Sequence, residues 1–220
     1  MGSIWSQTCS IGRRPPLRGH LKTQAAVVGA GMAGVLTAYA LQQAGLSVVV
    51  LEADRIAGGQ TQNTTAKITS QHGLIYSRLI QSFGEETARR YAKANQDAVR
   101  AYQDLIDVQG ISCDWEERCA YLYGPDVTVL QEEAEAARRL GLPASFTREV
   151  SIPIPHDGAV CFEGQAQFHP LKFLKVLADQ LTIYEQSRVL TAEGDLLTTE
   201  LGSVQAEHIV FACHFPFVNF

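Results

Sequence analysis

Three glycines and one acid carry the chemistry that is legible in this chain. Gly29, Gly31 and Gly34 stand in the G-x-G-x-x-G spacing of Gly29-Ala30-Gly31-Met32-Ala33-Gly34, and Glu52 follows 18 residues after the last of them. Each glycine has a use: the first turns tightly off a strand, the second admits a pyrophosphate against bare backbone, and the third lets a helix pack closely on a sheet. Phosphates would then sit at the positive end of that helix. The Glu52 carboxylate can accept hydrogen bonds from both hydroxyls of an adenosine ribose, and it would repel a 2′-phosphate there. These residues point to dinucleotide binding.

Such a motif needs the right elements around it, because glycine-rich turns arise wherever a chain reverses. Ala25–Val28 reads as a buried strand, Ala33–Gln43 as a helix with alanines and leucines toward the sheet, Gly45 as its stop, and Leu46–Leu51 as a second buried strand. A βαβ unit with no nucleotide is the plain alternative, and the full strand–turn–helix–strand–acid order argues against it.

After Glu52 the chain runs ADRIAGGQTQNTTAKITSQHG, a polar, hydroxyl-rich loop with paired glycines that would be an odd start for another βα repeat. With GAGMAG and VVVLEADRIAGGQTQNTTAKITSQHGLIY before Tyr76, and FHPLKFL and HIVFACHFPF later, the sequence resembles the D-amino-acid-oxidase-like FAD-dependent oxidoreductases. More narrowly, it resembles the bacterial branch whose full-length members often carry a C-terminal Rieske iron–sulfur domain. The resemblance implies an α/β fold: a Rossmann-like FAD-binding domain, a parallel sheet with helices, interleaved with part of a second α+β substrate domain. It places FAD against Gly29, Ala30, Gly31, Met32, Ala33, Gly34, Glu52 and Ala53. The loop beyond would pass the diphosphate and reach toward the isoalloxazine ring, which makes Gly59, Thr61, Thr64, Thr65, Ala66 and Lys67 candidate contacts. Glycines and hydroxyls can donate to phosphate and ring acceptors without bulk, and Lys67 could set a positive charge near the reduced flavin; a solvated loop with a solvent-facing lysine is the alternative. The resemblance also brings the backbone at Val189 to the adenine and Ala212, in Ala212-Cys213-His214, near the cofactor.

The implied reaction is hydride transfer from an amine, amino-acid or hydroxy-acid substrate to FAD, followed by reoxidation by oxygen or by an iron–sulfur domain outside this chain. No catalytic base can be named. His72 reads as a loop or capping histidine, and His169, before Pro170, as a cap or packing residue. Glu52 also permits an NAD-dependent reductase, against which stands the loop from Gly58 to Gly73. A non-catalytic remnant that keeps the βαβ fold is a third reading. A complete family member needs a later Gly-Asp segment to close the flavin site, so the sequence looks like an N-terminal half.

Composition bounds the rest. At 220 residues with 46% apolar content, the chain can bury a sizeable core, and its net charge of −5 argues against a nucleic-acid surface. No uninterrupted apolar run is long enough to span a membrane and the N-terminus has no secretory pattern, so a cytoplasmic protein is expected. Cys9, Cys113, Cys119, Cys161 and Cys213 are widely spaced with no CxxC pair, which suits a reducing compartment and indicates no metal site.

The expected order is an N-terminal arm (1–24) that either folds over the nucleotide domain or is mobile, a first FAD-binding part (25–76), a helical and substrate-domain insertion (77–159) and a second FAD-binding part (160–220). Helical spacing predicts Ser77–Phe83, Glu85–Val108 and a solvated helix over Asp126–Leu140. Strands are expected over Ile111–Tyr123, Thr182–Leu190 and His208–Cys213, with a proline crossover from Ser151 and a helix starting at Pro170.

Overall fold

The computed structural model describes residues 2–150 and 155–213. Along the chain run α1 (Ile4–Thr8), β1 (Gly19–Val28), α2 (Met32–Gln43), β2 (Val48–Leu51), a 3-10 turn (Gln60–Asn63) and β3 (Lys67–Ile68). Then come α3 (Tyr76–Phe83), α4 (Glu85–Gln109), β4 (Glu116–Gly124), α5 (Val127–Arg139), β5 (Ala144–Thr147) and β6 (Gly158–Gln167). After them lie α6 (Pro170–Ala178), β7 (Thr182–Tyr184), β8 (Thr191–Glu193), β9 (Leu196–Thr198) and β10 (Gly202–Phe211). They form two compact units, Met1–Thr65 with His169–Phe220, and Ala66–Phe168.

The first unit is built on a sheet of order β7-β2-β1-β10-β9-β8. β1 runs parallel to β2 on one side and to β10 on the other, and β7 lies parallel outside β2. Ala25, Ala26 and Val27 are fully buried and all four residues of β2 are buried; continuous apolar runs of this kind suit parallel strands covered on both faces. α2 contributes Val35, Ala38 and Tyr39 to the core, and α6 contributes Phe173, Leu174 and Leu177. His169 caps α6, its Nδ1 accepting from the Lys172 N–H at 3.3 Å, and Pro170 takes the first helical position, as expected. The order places β2 and β7 on one side of β1 and β10 on the other, the kind of position at which parallel sheets form a crevice at the carboxyl ends of their strands.

The N-terminal arm belongs to this unit. Trp5 Nε1 donates to the Thr64 carbonyl at 2.9 Å, Thr8 Oγ1 lies 2.9 Å from His169 Nε2, and the N–H of buried Leu17 donates to Ser187 Oγ at 2.8 Å. β1 begins at Gly19 and not at Ala25, because Gly19–Thr23 pairs with Gly202–Ala206 of β10. β7 ends at Tyr184, earlier than the expected strand, since Gln186 adopts φ 49° and breaks the extended run.

In the second unit β6 is the central strand, with β4 along one edge and β5 and β3 sharing the other. This shifts the expected limits: β6 does not return to the nucleotide sheet, and the crossings fall at Thr65/Ala66 and Phe168/His169 because Lys67 and Ile68 pair with Gln167 and Ala166. β4 starts at Glu116 and not Ile111, after Asp114 turns the chain at φ 52°. The expectation of a solvated α5 is corrected. Leu130, Ala134 and Ala137 recur at helical spacing and are buried with Tyr76, Ala88, Ala92 and Phe162. Only its other face is solvated, with an exposed Arg138–Glu135 ion pair at 2.8 Å.

Ser151 to Ile154 of the expected proline crossover, and His214 after Cys213, lie outside the described residues. Among those described, no helix is long and apolar enough to cross a membrane, and no group of three or more metal-ligating side chains comes together.

Candidate dinucleotide site

The site is assembled at the end of β1. The Gly29 N–H donates to the Leu51 carbonyl at 2.8 Å and the Ala212 N–H donates to the Val28 carbonyl at 2.9 Å, so the turn is held between β2 and β10. Gly29 has φ 105°, and a Cβ on it would meet the Ala212 carbonyl oxygen at 3.1 Å. At Gly34 the constraint is absolute: a Cβ would lie 1.9 Å from the Gly29 carbonyl oxygen, so α2 packs on the turn only through bare backbone. Gly31 differs, since its Cβ would make ordinary contact with Thr61 Oγ1 at 3.4 Å. The protein itself does not demand a glycine there; a ligand that approaches the backbone would.

The amides at this helix start are unequally used. Ala30 N–H donates to Glu52 Oε2 at 2.7 Å and Met32 N–H to Thr61 Oγ1 at 3.0 Å. Among the described residues, the N–H groups of Gly31 and Ala33 have no protein acceptor. Two free donors at the positive end of a 12-residue helix are disposed to receive an anion. Thr61 adds a third donor, because its oxygen already accepts from Met32 and its hydrogen is left to point elsewhere.

Glu52 is clamped by backbone. Its second oxygen, Oε1, accepts from the Asp54 N–H at 2.9 Å, so each carboxylate oxygen takes one amide and keeps a further lone pair. Facing it, the Ser187 N–H donates to the Glu52 carbonyl at 2.8 Å and the Gln186 N–H to the Asp54 carbonyl at 3.3 Å, which sets Arg188, buried Val189 and Leu190 as a wall. A cavity of about 1080 Å³ results, and Gly29, Gly31, Met32, Ala33, Glu52, Ala53, Gly59, Thr61, Val189 and Ala212 all line it. Of the other candidates, Ala30 and Gly34 lie under the turn, and Thr64 and Thr65 are exposed outside the cavity lining. Ala66 and Lys67 belong to the second unit, where Ala66 is buried at φ 60° and Lys67 is exposed on β3. His72 is an exposed loop residue of that unit, its Nε2 3.2 Å from Asn95 Oδ1.

Sequence reasoning passed over Glu185. It is 1% exposed and accepts from the N–H of Arg14 and of Ile56 at 2.8 Å each and from Arg55 Nη1 at 2.5 Å. One buried carboxylate thus ties the N-terminal arm and the loop after β2 to the end of β7. Its only signal was an acid in the apolar run IYEQSRVL. Arg55, Gly58, Gln60 and Arg188 also line the cavity without having been singled out.

The displaced pKa values lie outside the cavity. Burial pushes the Tyr76 and Tyr102 phenols up, while the hydrogen bond from Lys175, and then that from Arg14, holds the Asp179 carboxyl down. The titratable groups that do line the cavity are Glu52, Arg55, Arg188 and Cys213.

Residues 24–215 match the family described as FAD dependent oxidoreductase. YhfW of Bacillus subtilis (strain 168), whose name describes a Rieske 2Fe-2S iron-sulfur protein, is 33% identical over 229 aligned positions covering 99% of this chain and 45% of that protein. Gamma-glutamylputrescine oxidoreductase of Escherichia coli (strain K12) is 26% identical, over 84% of this chain and 47% of its own length. Among solved structures, L-amino acid deaminase from Proteus myxofaciens aligns with a TM-score of 0.73 at 17% identity, over 96% of this chain and 49% of that one. Glycine oxidase from Geobacillus kaustophilus aligns with a TM-score of 0.62 at 18% identity, over 87% of this chain and 55% of that one. The chain spans about half the length of the relatives it matches, and the likeness to the two solved structures is one of fold.

Proposed function

Because the chain belongs to the FAD-dependent oxidoreductase family, we propose that its glycine-turn cavity holds FAD and that the protein oxidises an amine, amino-acid or hydroxy-acid substrate. One observation carries the reading: the unpartnered amides of Gly31 and Ala33 and the backbone-clamped Glu52 share one cavity of about 1080 Å³. Those residues fit a flavin dinucleotide. Gly31, Ala33 and Thr61 offer donors to the diphosphate, Glu52 offers acceptors to the ribose hydroxyls, and Val189 offers an apolar edge to the adenine. A dinucleotide with a 2′-phosphate would set that phosphate against the Glu52 carboxylate. Bound FAD would supply the two-electron acceptor. The chain's own part is to position the cofactor and to keep its diphosphate against backbone.

The amine or amino-acid substrate class is supported by what gamma-glutamylputrescine oxidoreductase, L-amino acid deaminase and glycine oxidase are named for. Reoxidation by oxygen or by an iron–sulfur domain is supported, for the second route, by the name of YhfW. A cytoplasmic location is in keeping with five cysteines that form no disulfide.

The test is the visible absorption spectrum of the purified protein, before and after unfolding and filtration, followed by titration with FAD. A flavin spectrum with releasable FAD, or saturable uptake of added FAD, is the expected result. A colourless protein that takes up no FAD, or one that binds NAD in the absence of any flavin, overturns the proposal.

A further inference from the structure

Two arginines line the cavity, and the structure uses them differently. Arg55 is committed: its Nη1 lies 2.5 Å from Glu185 Oε2 and its Nη2 donates to the Ile11 carbonyl at 3.0 Å. Its charge is balanced by a carboxylate that is 1% exposed, and its plane is fixed by two partners. Arg188 is exposed, and among the described residues its guanidinium has neither an ion pair nor a hydrogen bond. Its backbone is nevertheless well anchored, between the Ser187 N–H bond to the Glu52 carbonyl at 2.8 Å and the Leu190 N–H bond to the Thr198 carbonyl at 2.8 Å, with Val189 buried between them. A fixed backbone carries an uncommitted cation on the cavity wall.

Position decides which part of a ligand this cation meets. The donors proposed for the diphosphate, Gly31, Ala33 and Thr61, belong to the start of α2 and the 3-10 turn, whereas Arg188 follows Ser187, whose N–H is bound to the carbonyl of Glu52, the residue proposed to meet the ribose. Its neighbours Val189 and the half-exposed Leu190 give an apolar flank and no competing acceptor. A planar guanidinium flanked by apolar neighbours can stack on an aromatic face. We infer that Arg188 covers the adenine ring of the bound dinucleotide and selects for the adenosine half of the ligand; the inference rests on the FAD reading above. Arg188 also supplies the cavity's only lining cation, among the described residues, that no carboxylate of the protein neutralises, so it offsets Glu52 as an anionic ligand approaches.

The experiment compares wild type, Arg188→Ala and Arg188→Lys by flavin fluorescence titration with FAD and FMN, and by ADP displacement of bound FAD. Since the side chain has no protein partner, the melting temperature of the variants should match wild type and exclude misfolding as a cause. Arg188→Ala should weaken FAD and ADP about 5- to 20-fold and leave FMN unchanged, and Arg188→Lys, which keeps the charge without the plane, should restore only part of the loss. Unchanged FAD and ADP affinity in Arg188→Ala, an equal loss for FMN, or full rescue by lysine overturns the assignment of Arg188 while leaving the FAD site standing. Wild-type protein that binds neither FAD nor ADP overturns both.

Discussion

At the start of α2 the amides of Gly31 and Ala33 meet no protein acceptor among the described residues, whereas at the start of α3 the amides of Ile75, Tyr76 and Ser77 all donate to Glu133 at 2.8, 2.7 and 3.0 Å. Both helix ends carry the same positive partial charge. In the second unit a carboxylate from α5, 1% exposed, occupies that position permanently. In the first unit Glu52 takes the amides of Ala30 and Asp54 but none from α2 itself, and leaves the helix start open to the cavity. The difference separates architecture from function: a helix end filled by the protein's own acid is a fold contact, and one left open in a concave wall is a place for an anion.

The largest effect expected to break this comparison comes from Gly34→Ala. With the new Cβ 1.9 Å from the Gly29 carbonyl oxygen, α2 must leave the turn. FAD binding should be lost in the titration, and stability should fall by about 3 kcal/mol in denaturant unfolding; retained FAD affinity would show that the helix start is not the anion site. Next in size is Glu133→Ala, which strips three partly or fully buried amides of their acceptor and should cost about 2–4 kcal/mol, measured in the same way. Glu133→Gln keeps one acceptor oxygen and should cost less. A Glu133→Ala protein as stable as wild type would mean that α3 is as open as α2, and the contrast would fail. The smallest effect is expected at Thr61→Val, which keeps the shape but removes the acceptor of the Met32 amide and the third donor of the site. Stability should change by about 1 kcal/mol and FAD affinity by about 5-fold, so a far larger loss of affinity would move the centre of anion binding from the helix amides to the hydroxyl.

Legibility in the sequence followed the range of the interactions. The turn at Gly29, the helix read from Ala33 and found from Met32, the strand read from Leu46 and found from Val48, and the acid after it were readable, because each rests on backbone conformation or periodicity within a few residues. The cap at His169 and the long helix from Glu85 were readable for the same reason. β6 was not: its run GAVCFEGQAQ has the composition of a strand of either unit, and only its pairing with Glu116–Gly124 and Ala144–Thr147 assigns it to the second. The helix α5 shows the limit most clearly. Glu132, Glu133 and Glu135 are alike in sequence, yet only Glu133 is buried, because only its position on the helix meets the amides of Ile75 to Ser77.

The sequence by itself determined that a strand, a glycine turn, a helix, a second strand and an acid follow in the order a dinucleotide requires, since glycine freedom and hydrophobic periodicity are properties of neighbouring residues. Only the tertiary structure decided which of several like residues serve the site. Arg55 is neutralised by Glu185 from 130 residues away, and Arg188 is not. Glu52 is held by Ala30 across 22 residues and so keeps its carboxylate beside the open amides. Charge pairing and the closing of a cavity depend on which distant backbones meet, and that is settled by the register of β1 with β2 and β10 and by the packing of the chain around them.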